Sequence, residues 1–310
     1  MPLLPLDPDV QHHPGMVDYG HSLSFGVSID PTASGFPAAL ALARQVDHAG
    51  LDYLVVQDHP YQPGYLDAWT MMSYLLTRTE RISVTASVLN LQLRPPAMLA
   101  KAAASLAAMA GGRVQLGVGG GGYPRAIASM GGKAYTGDEM VTFTDESIQL
   151  IKKALKGGAV CMDTPLHRVT GYQADPVPQS RIEVWLGSQG PKMLALTGRI
   201  ADGWVCPLNI YVSPEEVPNK QAMIDAAAHT AGREPNEVRR VYNVLGNVGS
   251  ASQGVGGPVE LWVDTLAGWV VELGFDTFVF WPDGDPVKQL HAFADEVVPA
   301  VRARVAERRK

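Results

Sequence analysis

The chain has 310 residues, 46% hydrophobic and 18% charged, with a formal net charge of −6. That is a folded composition with enough length for one large domain or two ordinary ones. It excludes a general nucleic-acid binder, because no Lys/Arg run stands before the last few residues, and no stretch of about eighteen apolar residues exists to span a membrane.

Residues 1–22 are broken by Pro and Asp and read as an extended arm, not a signal peptide. His12 and His13 fall in this solvated arm and are not read as a metal pair. Residues 23–310 then read as one domain in which two kinds of segment alternate. "LSFGVSI" is a strand, and "FPAALALARQVDHAG" is a helix ending at Gly50, a natural position after a helix C-terminus. "DYLVVQ" precedes the helix "LDAWTMMSYLLTRT". "RISVTASVL" precedes "RPPAMLAKAAASLAAMAGG", with Pro near its start and Gly at its end.

The fourth strand, "RVQLGVG", runs into a glycine-rich loop and the helix "GDEMVTFTDESIQLIKKALKGG". "AVCMDTPLHRVTGYQADPVPQS" reads as an irregular surface excursion. Four more pairs follow: "IEVWLG" with "PKMLALTGRIA", "GWVCP" with "SPEEVPNKQAMIDAAAHTAG", "RRVYNVLGNV" with "PVELWVDTLAGWVVELG", and "DTFVFW" with a last helix reaching the C-terminus. The strand runs are apolar throughout, as buried parallel strands are. Eight β-then-α units predict an α/β fold, a (β/α)8 TIM barrel with insertions, the largest between strands four and five. Cys161 and Cys206 lie far apart without C-x-x-C spacing. That excludes a disulfide framework or structural zinc and fits a cytoplasmic protein.

Gly117, Gly119 and Gly122 fit G-x-G-x-x-G, yet Tyr123 and Pro124 interrupt the helix that a dinucleotide fingerprint needs at once. The run is either a flexible turn or, at the C-terminal end of a barrel strand, bare backbone that lets a ligand approach. Chemistry in such barrels collects at strand ends. After strand two stand Asp58 and His59, with Tyr61 near. A histidine there can give and take a proton at neutral pH, or merely hydrogen-bond backbone. Gly187, Ser188, Gln189 and Gly190 precede Pro191 and Lys192. The helix start and the lysine favour a phosphate, against an ordinary loop with a capping serine. Ser87, Val88 and Asn90 put β-branched and polar groups at the third strand's end, for a flat ring or for core packing. The remaining histidines carry no assigned role, and no metal spacing appears. The Ala-rich third helix suggests a homodimer or close burial within the chain.

Four segments, "GLDYLVVQDH", "TERISVTASVLNLQLRPPAMLAKAAASLAAMAGGRVQLGVGGGG", "VWLGSQGPKMLALTGRIADGW" and "GFDTFVFW", together resemble the bacterial luciferase-like superfamily. The resemblance runs from about Leu23 to Arg302. It implies a (β/α)8 oxidoreductase using FMN or the deazaflavin F420. Asp58-His59 resembles the pair that F420 members place beside the ring, with the histidine as acid/base, so F420 is expected and FMN is the alternative. Ser87-Val88 matches a non-proline cis peptide backing the ring. Gly117, Gly119, Gly120 and Gly121, with Gly187 to Gly190, match loops around the ribityl chain and phosphate. Where F420 sugar-phosphate dehydrogenases carry an acid after the glycine run, this chain has Gly122, which puts sugar-phosphate oxidation in doubt. The expected activity is hydride transfer with a small organic substrate. An FMNH2-dependent monooxygenase and a non-catalytic cofactor-binding barrel are the alternatives.

Overall fold

The apolar runs pair edge to edge into a ring of parallel strands. The computed structural model describes residues 17–310; His12 and His13 lie outside them. The barrel strands are β1 (Ser24–Ile29), β2 (Tyr53–Val56), β3 (Ser83–Ala86, resuming at Leu89–Asn90), β4 (Leu116–Gly119), β5 (Val184–Gly187), β6 (Gly203–Leu208), β7 (Arg239–Val248) and β8 (Thr277–Pro282). They lie in the order β3-β2-β1-β8-β7-β6-β5-β4. Leu89–Asn90 pairs with Val118–Gly119, and a bridge between Val84 and Val114 joins β3 to the chain entering β4, so the ring closes.

The principal helices are α1 (Phe36–His48), α2 (Ala68–Leu76), α3 (Pro96–Met109), α4 (Gly137–Leu155), α5 (Pro191–Ile200), α6 (Val217–Thr230), α7 (Val259–Val271) and α8 (Val298–Arg308). The last predicted helix is divided. It begins at Pro286–His291, widens to a π-helical stretch at Ala292–Val297, and continues as α8. The expected irregular excursion after α4 is instead an antiparallel hairpin of Gly158–Asp163 with Arg168–Ala174. Its Pro and Gly content obscured the pairing in the sequence. Ala100, Ala103, Ala104 and Ala107 of α3 are buried within the chain, so close packing there requires no partner.

The barrel interior is filled in layers. Near its N-terminal end the Tyr53 and Trp185 rings meet edge to face at 5.2 Å. A Cβ on Gly203 would come within 2.6 Å of Trp185, so the small residue on β6 makes room for the large one on β5. Above them Val55, Val205, Val241 and Val279 pack together, and Val88 and Trp281 cover the cluster at the C-terminal end. A second, larger core lies between strands and helices, including Phe280 stacked on Phe293 at 4.6 Å.

Three aspartates fasten the N-terminal end. Asp52, Asp202 and Asp276 each stand one residue before a strand. Each accepts a backbone N–H from the strand beside it: Phe25 at 2.8 Å, Val184 at 2.9 Å and Arg240 at 2.8 Å. Asp47 does similar work, accepting from Glu80, Arg81 and Ile82. Such charge-assisted bonds satisfy donors that a strand's first residues would otherwise leave open. The described part of the N-terminal arm packs at this end: Tyr19 donates to Asp225 and lies against the Arg240 guanidinium.

Candidate active site

β2 is short and fully apolar, so the first polar groups after it, Gln57, Asp58 and His59, emerge at the C-terminal rim. The two neighbours then diverge. Asp58 turns inward and its side chain is buried. Its carboxylate accepts from Arg94 Nη2 at 2.8 Å and Arg94 Nε at 3.1 Å, and from the Asn90 backbone N–H at 2.9 Å. Arg94 also donates to Asp67, the residue that caps α2. Burial works against the Asp67 charge, but Arg94 and the Thr70 N–H overcome it, holding that carboxyl below the usual carboxylate range. A buried carboxylate this fully bonded acts as a strut.

His59 turns outward and is half-buried among aromatic rings. Its ring centroid lies 5.6 Å from Tyr61, 6.5 Å from Tyr65 and 5.7 Å from Tyr123. Nδ1 sits 2.8 Å from Tyr61 Oη, while Nε2 has no protein partner among the described residues. Burial holds the imidazole below the ordinary histidine value, with the Asp58 charge opposing. The ring is therefore mostly neutral at pH 7, the state that can accept a proton. Burial pushes the Tyr61 hydroxyl up to about 12, so it stays protonated.

The two glycine-rich segments meet on adjacent strands. Gly117 faces Trp185 in register and Gly119 faces Gly187. The Ser87–Val88 peptide is cis, and the Val88 side chain lies over the paired glycines. A Cβ on Gly119 would come 2.7 Å from Val88 Cγ2, and one on Gly187 3.0 Å from it. Gly120 and Gly121 are crowded from behind, by Thr144 and Met140 and by Ile127 and Asn90. Tyr123, just past the run, closes edge-on against His59, so the glycine rim and the imidazole share one end of the barrel.

A hydrogen-bond chain ties these parts together. Asp58 holds the Asn90 N–H, the Asn90 side chain accepts from the Gln92 N–H at 3.0 Å, and Gln92 Nε2 donates to the Gly120 carbonyl at 2.6 Å. Gln92 also bonds both backbone groups of Tyr135. The sequence reading missed Arg94, Gln92 and Asp67. Gln92 sits in the short 3-10 turn Leu91–Leu93, Arg94 just after it and Asp67 at the cap of α2, where polar residues look ordinary; only the "NLQLR" that follows an apolar strand hinted at buried polar work.

The second segment divides in the same way. The Ser188 hydroxyl bonds Thr197 at 2.8 Å inside the protein and caps nothing, and the Ser188 carbonyl accepts from Trp204. Gln189 and Gly190 are exposed at the uncapped start of α5. Lys192 is exposed and ion-paired with Asp138. Below the rim Asn243 is buried, donating to the Cys206 carbonyl and accepting from Trp281 Nε1 at 2.9 Å; the sequence reading passed over it as part of a strand. Among the described residues no group of three His, Cys, Asp or Glu could hold a metal ion, and no helix is long and apolar enough to cross a membrane.

Known proteins resemble this chain in sequence and fold. A 5,10-methylenetetrahydromethanopterin reductase from Methanolobus tindarius is 30% identical over 220 residues, 70% of this chain and 63% of that protein. An F420-dependent glucose-6-phosphate dehydrogenase from Nocardia farcinica is 29% identical over 217 residues, 66% of this chain and 62% of its own length. The aligned region thus spans less than two thirds of either relative. The structure of an F420-dependent secondary alcohol dehydrogenase superposes with a TM-score of 0.80, at 17% identity, covering 91% of this chain and 99% of the other, which shows a common barrel fold. Residues 17–253 match the luciferase-like monooxygenase family, and the chain belongs to it.

Proposed function

We propose that the chain is an oxidoreductase that binds F420 at the barrel mouth and moves a hydride to or from a small organic substrate, with His59 as the acid/base. The carrying observation is the half-buried, outward-facing His59 at the same rim as the paired Gly119 and Gly187. Relatives named as F420-dependent enzymes support the choice of cofactor. The family's monooxygenase members support FMN as the second reading.

The residues present suit a long planar cofactor with an anionic tail. A Cβ on Gly122 or Gly190 would meet nothing within 4 Å. Gly190 has φ −82°, so neither crowding nor backbone conformation demands glycine there. Bare backbone facing open space leaves room for a ligand to lie close, and the uncapped α5 start offers N–H groups to a phosphate. The Lys192–Asp138 pair would have to rearrange for that lysine to contribute. Val88, partly exposed over the paired glycines, offers an apolar side chain for a ring to rest on.

When bound, F420 supplies the carbon that accepts or donates the hydride. The protein positions the substrate and handles the proton. In the tautomer with Nδ1 protonated, His59 donates to Tyr61 Oη and keeps its Nε2 lone pair for a substrate hydroxyl. As an alcohol's C–H hydride leaves, its O–H proton passes to Nε2 and a carbonyl compound results. Asp58 and Arg94 fix the loop that carries His59.

Fluorescence titration of the purified protein with F420, FMN and NADPH tests this reading. F420 is expected to bind tightest. Gly190→Leu should weaken it by about tenfold or more, roughly 1.4 kcal/mol, with little change in Tm. Tighter binding of FMN would replace the proposal with the monooxygenase reading, and binding of neither would end both.

A further inference from the structure

In the eight-strand ring β1 and β8 stand opposite β4 and β5. On that far side a cavity of ≈ 430 Å³ opens between the ends of β1, β7 and β8 and the start of α1. Its volume lies in the range of small-molecule sites. Ile29, Ala39, Leu42, Leu245 and Trp281 give it apolar walls. Ser28, Gln57 and Tyr65 bring uncharged hydrogen-bonding groups to it, none of whose side chains is engaged elsewhere among the described residues. The one ionisable carboxylate in the wall is Asp30, and no Lys, Arg or His lines it. Tyr65 links the cavity to the chemistry, its ring lying 6.5 Å from that of His59.

We infer that this cavity receives the body of the substrate, and that the substrate is an uncharged, mostly apolar alcohol or carbonyl compound rather than a phosphate ester or carboxylate. The inference rests on the functional reading above for the reaction, and on the lining alone for the substrate's character. An anion entering here would lose its hydration, find no cation, and face Asp30. The Arg94 guanidinium, at the end of the segment that follows β3, is already held by Asp58 and Asp67. A neutral hydroxyl or carbonyl loses far less hydration than an anion and can be bonded by Gln57, Ser28 or Tyr65, while an aliphatic body buries against Leu245 and Trp281.

The test uses the full chain with and without F420. Cyclohexanone and cyclohexyl phosphate, equal in ring and different in charge, are titrated against tryptophan fluorescence, since Trp281 lies in the wall. Turnover is compared for cyclohexanol and glucose 6-phosphate. Cyclohexanone is expected to quench and cyclohexyl phosphate to bind about 100-fold more weakly, some 2.7 kcal/mol. Ala38→Phe, at an exposed α1 position on the cavity, should abolish cyclohexanone binding and leave the F420 titration unchanged. Leu245→Lys should raise affinity for the phosphate. Equal or tighter binding of cyclohexyl phosphate by the unaltered protein, a preference for glucose 6-phosphate, or cyclohexanone binding untouched by Ala38→Phe overturns the inference. Failure of the F420 titration with the cyclohexanone preference intact would instead remove the cofactor reading and leave the cavity assignment standing.

Discussion

At the N-terminal end of the barrel, Asp52, Asp202 and Asp276 each clamp an N–H at the start of a neighbouring strand, from its first or second residue, and Arg239 and Arg240 are paired with Asp276 and Asp225. At the C-terminal end the side chains of Ser28, Gln57 and Tyr65 and the Nε2 of His59 have no protein partner among the described residues, and Gly122 and Gly190 face open space. One end spends its polar groups on holding strands in register. The other leaves polar groups and bare backbone without protein partners among the described residues, which is what the proposed ligand site requires. Between them runs the Arg94–Asp58–Asn90–Gln92–Gly120 chain, which gives the open end rigidity without using up His59.

The contrast is sharpest at His59. His59→Ala should lower turnover by about 10²- to 10⁴-fold, the usual worth of general acid–base catalysis, with F420 affinity and Tm little changed; steady-state rates beside a cofactor titration check it. Arg94→Ala should be the most damaging change in the strut, because it strands the buried Asp58 carboxylate, at a cost of about 3–5 kcal/mol. Denaturant melts measure that cost, and Arg94→Lys, which keeps the charge without the fork, should recover part of it. A melt unmoved by Arg94→Ala would mean that the strut carries no load.

Asp202→Ala tests the other end. It leaves the Val184 N–H without its acceptor and removes the carboxylate paired with Lys152 and Arg181, and should cost about 1–3 kcal/mol, while turnover per folded molecule stays at the unaltered level. Burial opposes the Asp202 charge, but Lys152, the Val184 N–H and Arg181 outweigh it and depress its carboxyl. Its contribution to stability is therefore complete above the unfolded carboxylate value and is lost as pH falls through the lower folded value. Acid unfolding of the unaltered protein should show this, and the Asp202→Ala variant should lose that part of the pH dependence.

The smallest effect is in the pH profile. His59 sits below the ordinary histidine value through burial. Alcohol oxidation should hold a plateau at neutral pH and fall only as pH drops through that depressed value, below about 6.5. An acid limb centred above the ordinary histidine value would point to a different base.

The strands, their order and the end of the barrel at which Asp58, His59 and both glycine segments emerge were legible in the chain, because apolar runs of fixed length followed by turn residues leave few alternatives. The hairpin after α4 was not, since its pairing depends on residues that meet only across the turn. The site was legible residue by residue but not role by role. Ser188 looked like a phosphate donor or a cap and is committed to Thr197; Lys192 looked free and is paired with Asp138.

By itself the sequence determined the alternation of strand and helix, the placing of glycines at two adjacent strand ends, and the identity of the one histidine that follows a barrel strand. These are local properties, set by periodicity and by what each residue type can do in a turn. Only the tertiary structure decided that Asp58 faces Arg94 while His59 faces the mouth, that Val88 lies across Gly119 and Gly187, and that the cavity opposite them holds no cation. Those outcomes depend on distances between segments far apart in the chain, and a side chain's surroundings are fixed only when the ring closes.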